Sequence, residues 1–257
     1  MKKTLTIFTF ACAVLSAHAE QFFEQLDIGR GEARMPAYVM TDAKAKATLI
    51  LLPGGSAATG DIVDGKPKSG NFLSRSRSLF KRAGYNVMVV YRPSDLNDLD
   101  YGYRISAQHM NELRVAVEYA KKTLGKPVWL IGTSRGTVSG TAAAIEFGPE
   151  LVSGLVLTSS VTNSKPGAIS TQDLKRLKIP VLVVHHSKDA CKVCIPTEAA
   201  KIPTMLVNSP KKDFVMIEGG SDPHGNVCNA QHWHGFINYE EETVKLITDW
   251  IDAQNPV

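Results

Sequence analysis

The feature that most constrains the fold is the passage from Val128-Trp129-Leu130-Ile131 into Gly132-Thr133-Ser134-Arg135-Gly136, with a small-residue helical stretch after it. A continuous apolar run of this length reads as a strand buried on both faces. The G-x-S-x-G that follows reads as a sharp strand-to-helix turn with Ser134 at its apex. A hydroxyl that attacks a carbonyl must stand clear of its own backbone, so such a turn is tight and strained. Glycines two residues to either side leave no Cβ to collide with the adjoining strand and helix. The pattern alone is short enough to arise by chance; the strand before it and the helix after it give it weight.

The rest of the chain alternates in the same way, without repeats or low-complexity linkers. Apolar runs predict strands over residues 47–52, 86–91, 154–158, 180–185 and 213–217, with an antiparallel edge near 33–39. Helical spacing predicts helices over 72–83, 106–124 and 240–253; the first two stop at Gly84 and Gly125. Repeated β-α-β units imply an α/β fold, a mainly parallel central sheet with helices on both faces. About two dozen residues separate the strand ending at Thr158 from the one starting near Val181. That leaves little or no room for a cap domain, and the site is expected to be open.

Residues 1–19 read as a secretory signal peptide: Lys2 and Lys3, a largely apolar core, then Ala17-His18-Ala19 as the cleavage site. The residues before Cys12 fit a lipoprotein signal poorly, so release as a soluble periplasmic or secreted protein is expected. No other stretch approaches membrane length. Residues 20–257 are then long enough for one α/β domain with a large core. Loss of Lys2 and Lys3 lowers the formal charge from +4 to +2, which gives a nucleic-acid partner no electrostatic support. Cys191, Cys194 and Cys228 remain, and in an exported chain a disulfide is the default. A Cys191–Cys194 bridge constrains little, whereas Cys191–Cys228 closes a long loop worth roughly 4 kcal/mol in the chain-entropy model.

A serine needs a base within reach and an acid to orient that base. The strand–serine–helix turn resembles that of the α/β-hydrolases, in which acid and base come from loops at the carboxyl ends of later strands, in the order serine, acid, histidine. Asp189 lies just beyond the strand that carries His185 and His186, where the acid belongs. His234, in His232-Trp233-His234-Gly235-Phe236 before the last helix, is placed as the base; His232 and His224 are rivals in the same loop. An oxyanion hole needs two backbone N–H groups. Arg135 supplies one, and Gly55, in Pro53-Gly54-Gly55-Ser56 after the first central strand, the other.

With these residues in place the chain resembles the α/β-hydrolase superfamily over nearly its whole mature length. More narrowly, it is similar to exported, largely uncharacterised bacterial hydrolases. The matching segments are Leu51-Leu52-Pro53-Gly54-Gly55, Asn71 to Arg77, Pro93-Ser94-Asp95, Trp129 to Thr137, His185-His186 with Asp189-Ala190-Cys191, and Cys228 before His234-Gly235-Phe236. The resemblance implies a cofactor-free hydrolase with a small-molecule acyl substrate, and a Cys191–Cys228 disulfide tying the acid loop to the base loop. Cys194 falls outside the pattern. An esterase fits an open site best; a peptidase, thioesterase or acyltransferase shares the acyl-enzyme step.

Two other readings compete. His185, His186, Cys191, Cys194, Cys228, His232 and His234 include zinc-ligand spacings, but an oxidising compartment and the role given to His234 argue for no metal. A non-catalytic binding protein on the same scaffold is possible in principle, yet it would typically have lost the serine or the histidine. Arg92, Asp95 and Arg104, in or near the loop after the second central strand, receive no role.

Overall fold

The computed structural model describes residues 20–163 and 165–254. The expected signal peptide and its cleavage site lie outside the described residues. Among the described residues ten strands form: β1 Gln21–Asp27, β2 Arg34–Met40, β3 Thr48–Leu52, β4 Ile62–Val63, β5 Lys66–Pro67, β6 Asn86–Val90, β7 Val128–Thr133, β8 Gly154–Thr158, β9 Val181–His186 and β10 Lys212–Ile217. Eight of them build one sheet in the order β1-β2-β6-β3-β7-β8-β9-β10, while β4 and β5 pair separately as a small hairpin. From β6 to β10 every neighbouring pair is parallel. The β2 edge is antiparallel to β6, as the pattern at 33–39 predicts, and β1 extends it antiparallel.

The continuous apolar runs are the central strands, and every residue of β3, β6, β7, β8 and β9 is buried. Alternate side chains along each strand serve opposite cores, because the strand period is two. Ile50, Leu52, Met88, Val90 and Leu130 face α3 (Ala107–Tyr119) and α4 (Arg135–Leu151). Leu49, Leu51, Val87, Val89 and Trp129 face α1 (Phe72–Arg75), α2 (Arg77–Arg82) and α7 (Glu240–Gln254). Each such side chain, fully buried, contributes on the order of 1.5–3 kcal/mol. The short α5 (Pro196–Ala199) and α6 (Ile202–Met205) cover the first core beside β9 and β10.

The helix expected over 72–83 is two helices, interrupted at Ser76, whose φ/ψ of −89/0 is bridge-like. The Arg77 guanidinium donates to the Ser74 carbonyl there, occupying an acceptor that a continuous helix would use for its own ladder. The helix expected over 106–124 starts as predicted, with the Ser106 hydroxyl accepting from the His109 N–H at 3.2 Å. It ends in a wider π turn over Ala120–Leu124, closed by left-handed Gly125. Between β8 and β9 the described residues hold only the 3-10 turns Ile169–Thr171 and Leu174–Arg176, so no cap stands there. Among the described residues no helix is long and apolar enough to cross a membrane.

Candidate functional site

Ser134 sits where β7 gives way to α4, with φ 51 and ψ −125. For a residue with a Cβ that backbone costs on the order of 1–3 kcal/mol. It persists because the chain is packed too closely to relax. A Cβ on Gly132 would come within 2.5 Å of the Gly136 carbonyl, and one on Gly54 within 2.8 Å of both Ser134 Cβ and the Thr133 carbonyl. The Arg135 N–H, at the first position of α4, is one of the donors a helix leaves without an internal partner. Its side chain turns away, to Asp98 and the face of Tyr101.

Asp189 follows β9, held in a turn by its own N–H to the His186 carbonyl. Its Oδ1 accepts from the Cys191 N–H at 2.9 Å, and its Oδ2 pairs with His234 Nδ1 at 2.8 Å. That contact assigns the proton of the neutral ring to Nδ1. Nε2 is buried and, among the described residues, has no hydrogen-bond partner. The His234 backbone is fixed from two sides. Ser159 Oγ donates to the His234 carbonyl at 2.8 Å, and Arg75 donates to the Gly235 carbonyl at 2.6 Å while pairing with Glu240.

Ser134, His234, Gly54 and Gly55 line one cavity of about 490 Å³, with Asp61, Lys68, Asn71 and Asn229 farther along its wall. Of the residues the sequence nominated, Ser134, His234 and Gly55 share the cavity wall, Asp189 reaches it through His234, and Arg135 follows Ser134 in the chain. The rivals stand elsewhere: His224 is exposed and engages the Asp222 carbonyl, and His232 packs edge-on against Trp233.

Cys191 and Cys228 form a disulfide, and Cys194 is a buried free thiol. Burial and the charge of Asp189 push that thiol well above its usual range, a contact with the Ser134 hydroxyl pulling the other way. Sequence reasoning missed this neighbour of Ser134, because a second cysteine three residues from a bridged one carries no signal of where it points. Cys191, Cys194 and His234 offer donor atoms within 4.8 Å of one another. They do not fit a metal, since the Cys191 sulfur is in a disulfide rather than a thiolate, which leaves only two donors. His185 and His186 are committed too: His185 Nε2 accepts from the Ser160 N–H at 2.6 Å, and His186 Nε2 donates to the Gly219 carbonyl at 2.9 Å. Burial keeps both neutral, pushing His185 down to about 4.

No family model matches the chain, and no curated relative does. Solved structures match over almost its full length. Est1E from Butyrivibrio proteoclasticus superposes with a TM-score of 0.62 at 14% identity, covering 92% of this chain and 100% of its own. A dienelactone hydrolase from Anabaena variabilis gives 0.63 at 15%, over 91% and 97%. The esterase Pf2001 from Pyrococcus furiosus gives 0.63 at 12%, over 98% and 99%. At such identities the likeness concerns architecture, and the architecture is the α/β-hydrolase fold.

Proposed function

We propose that this chain is a serine hydrolase, acting on carboxylic esters through an acyl-enzyme intermediate. The observation that carries the reading is the Asp189–His234 pair at 2.8 Å, set in one cavity with a serine on a strained strand-to-helix turn. His234 Nε2 takes the Ser134 proton as the hydroxyl attacks the ester carbonyl, and Asp189 holds the tautomer and stabilises the imidazolium. The Gly55 and Arg135 N–H groups receive the charge that develops on the carbonyl oxygen. The alcohol leaves with the proton from His234, and water, activated by the same imidazole, releases the acid. The absence of a cap among the described residues favours small or flexible acyl substrates that enter from an open face. Neither a metal nor an organic cofactor has a part in these steps. The Cys191–Cys228 bridge suits an oxidising compartment, and with residues 1–19 as a cleaved signal the enzyme works in the periplasm or outside the cell.

The test is reaction with a fluorophosphonate, with the adduct located by mass spectrometry. An adduct on Ser134 that disappears in His234→Ala is the expected result. Folded protein that takes no label would refute the assignment. Turnover of ester, thioester and amide substrates side by side then separates esterase from thioesterase and peptidase.

A further inference from the structure

The loop that carries Gly55 is gripped by one buried guanidinium. Arg104, in the 3-10 turn Tyr103–Ile105, is 1% exposed, and among the described residues no carboxylate lies within ion-pair distance of it. Its charge is met by neutral oxygens. Nε donates to the Leu99 carbonyl at 2.9 Å and Nη1 to Ser139 Oγ at 2.9 Å. Nη2 reaches the Pro53 carbonyl at 3.3 Å and the Gly55 carbonyl at 3.0 Å. The intervening Gly54 carbonyl accepts from the Ala57 N–H at 3.1 Å. Three consecutive carbonyls are therefore held, and none of these contacts uses the Gly55 N–H. In a planar trans peptide the N–H opposes the C=O, so fixing the Gly54 carbonyl and the peptide units on both sides of it fixes the aim of the Gly55 N–H.

Burying a cation without an anion costs several kcal/mol, and a plain structural tie could be made by a neutral donor. What the guanidinium adds is a rigid plane: Nη2 holds two carbonyls of one loop while Nε and Nη1 tie the same plane to Leu99 and Ser139, with the stronger bonds of a charged donor. The fork is itself held in place. Ser139 Oγ also meets His109 Nε2 at 3.0 Å, His109 Nδ1 meets Glu112 at 3.0 Å, and Glu112 takes Arg30 and Tyr103.

Resting on the reading of Ser134 as the acyl-accepting nucleophile, we infer that Arg104 is a positioning residue: it holds the Pro53–Ser56 loop so that the Gly55 N–H points at the developing oxyanion. It touches no substrate and acts through the loop.

Arg104→Met removes fork and charge, and Arg104→Lys keeps the charge but cannot hold the loop carbonyls and the Leu99 and Ser139 anchors at once. In each, kcat for a simple ester is expected to fall roughly 10- to 100-fold with KM changed less than threefold, short of the loss from deleting a donor outright. Affinity for a trifluoromethyl ketone, which forms an oxyanion on the serine, is expected to fall in parallel with kcat. A side chain that served folding alone would lower stability without moving that affinity. Wild-type kcat with wild-type ketone affinity in folded Arg104→Lys overturns the inference. Should Arg104→Met fail to fold, Ser139→Ala removes one anchor and decides the same question, a parallel loss supporting the role and unchanged values refuting it. Failure of the underlying reading shows itself separately, as wild-type protein that neither labels at Ser134 nor turns over.

Discussion

The two arms that flank Ser134 are secured by different means. The proposed acid–base arm consists of long loops beyond β9 and β10, and a covalent bond from Cys191 to Cys228 joins them, with Arg75 and Ser159 holding the His234 turn. The proposed oxyanion arm is a four-residue turn directly on β3, secured without any covalent link by the Arg104 guanidinium. A short loop on a buried strand needs only its peptide planes fixed. No residue between Ile217 and His234 is buried, and a loop of that length must first be brought back to the sheet. Cross-linking removes that closure entropy from the unfolded chain, whereas the fork selects among orientations of a loop already in place.

Breaking the acid–base arm at its hydrogen bond should have the largest effect. Asp189→Asn, with the fold intact by circular dichroism, is expected to lower kcat about 10⁴-fold, because the imidazole loses its tautomer; a drop under tenfold would mean that Asp189 does not serve His234. Breaking the same arm at its covalent link acts on stability instead. The Cys191→Ala/Cys228→Ala double variant should lose about 2–4 kcal/mol in urea unfolding, with kcat at 25 °C far less affected than in Asp189→Asn. Equal stability of variant and parent would show that the loops are held by packing alone.

The neutral histidines behind the acid arm give that side a pH dependence. Burial lowers His185 to about 4 in the folded state, so between roughly pH 6.5 and 4 the unfolded chain binds a proton that the folded one does not. Its contribution is full above pH 6.5 and is lost as the pH falls to 4, on the order of 3 kcal/mol. His186 and His109 are lowered in the same direction. Unfolding measured across that window should show a shallower slope in His185→Gln than in wild type; parallel slopes would remove His185 from the account. The smallest effect belongs to a control outside both arms. Lys245→Ala, which breaks an exposed pair with Asp249 on α7, should change stability by less than about 0.5 kcal/mol and leave kcat alone.

Most of the parallel sheet was legible in the sequence because β3, β6, β7, β8 and β9 are buried on both faces and so read as unbroken apolar runs. β1 was not, since Gln21–Asp27 is an edge strand whose mixed residues are all exposed or half-buried except Leu26. The β4–β5 hairpin, two residues on each side, leaves no periodicity to detect. Ser134, Asp189 and His234 could be nominated because each follows a strand or precedes the last helix in a fixed order. Arg104 could not. An arginine near a loop rich in Pro, Ser, Asp and Asn reads as solvated, and only tertiary burial turns it toward Pro53 and Gly55. Ser159 and Arg75 are hidden for the same reason, as both act on backbone carbonyls that a sequence pattern does not display.

The bridge between Cys191 and Cys228 closes a covalent ring that contains α5, α6 and the whole of β10. β10 is the terminal strand of the sheet and most of it is only half-buried, the kind of element that opens first in local fluctuations. Asp189 and His234 lie just outside the ring, on either side of its clasp. When β10 lifts from β9, the excursion is confined to the ring, and the clasp keeps the two ends of the acid–base arm within a few residues of each other. Amide protons along β10 can then exchange quickly in a molecule whose Asp189–His234 pair has not come apart.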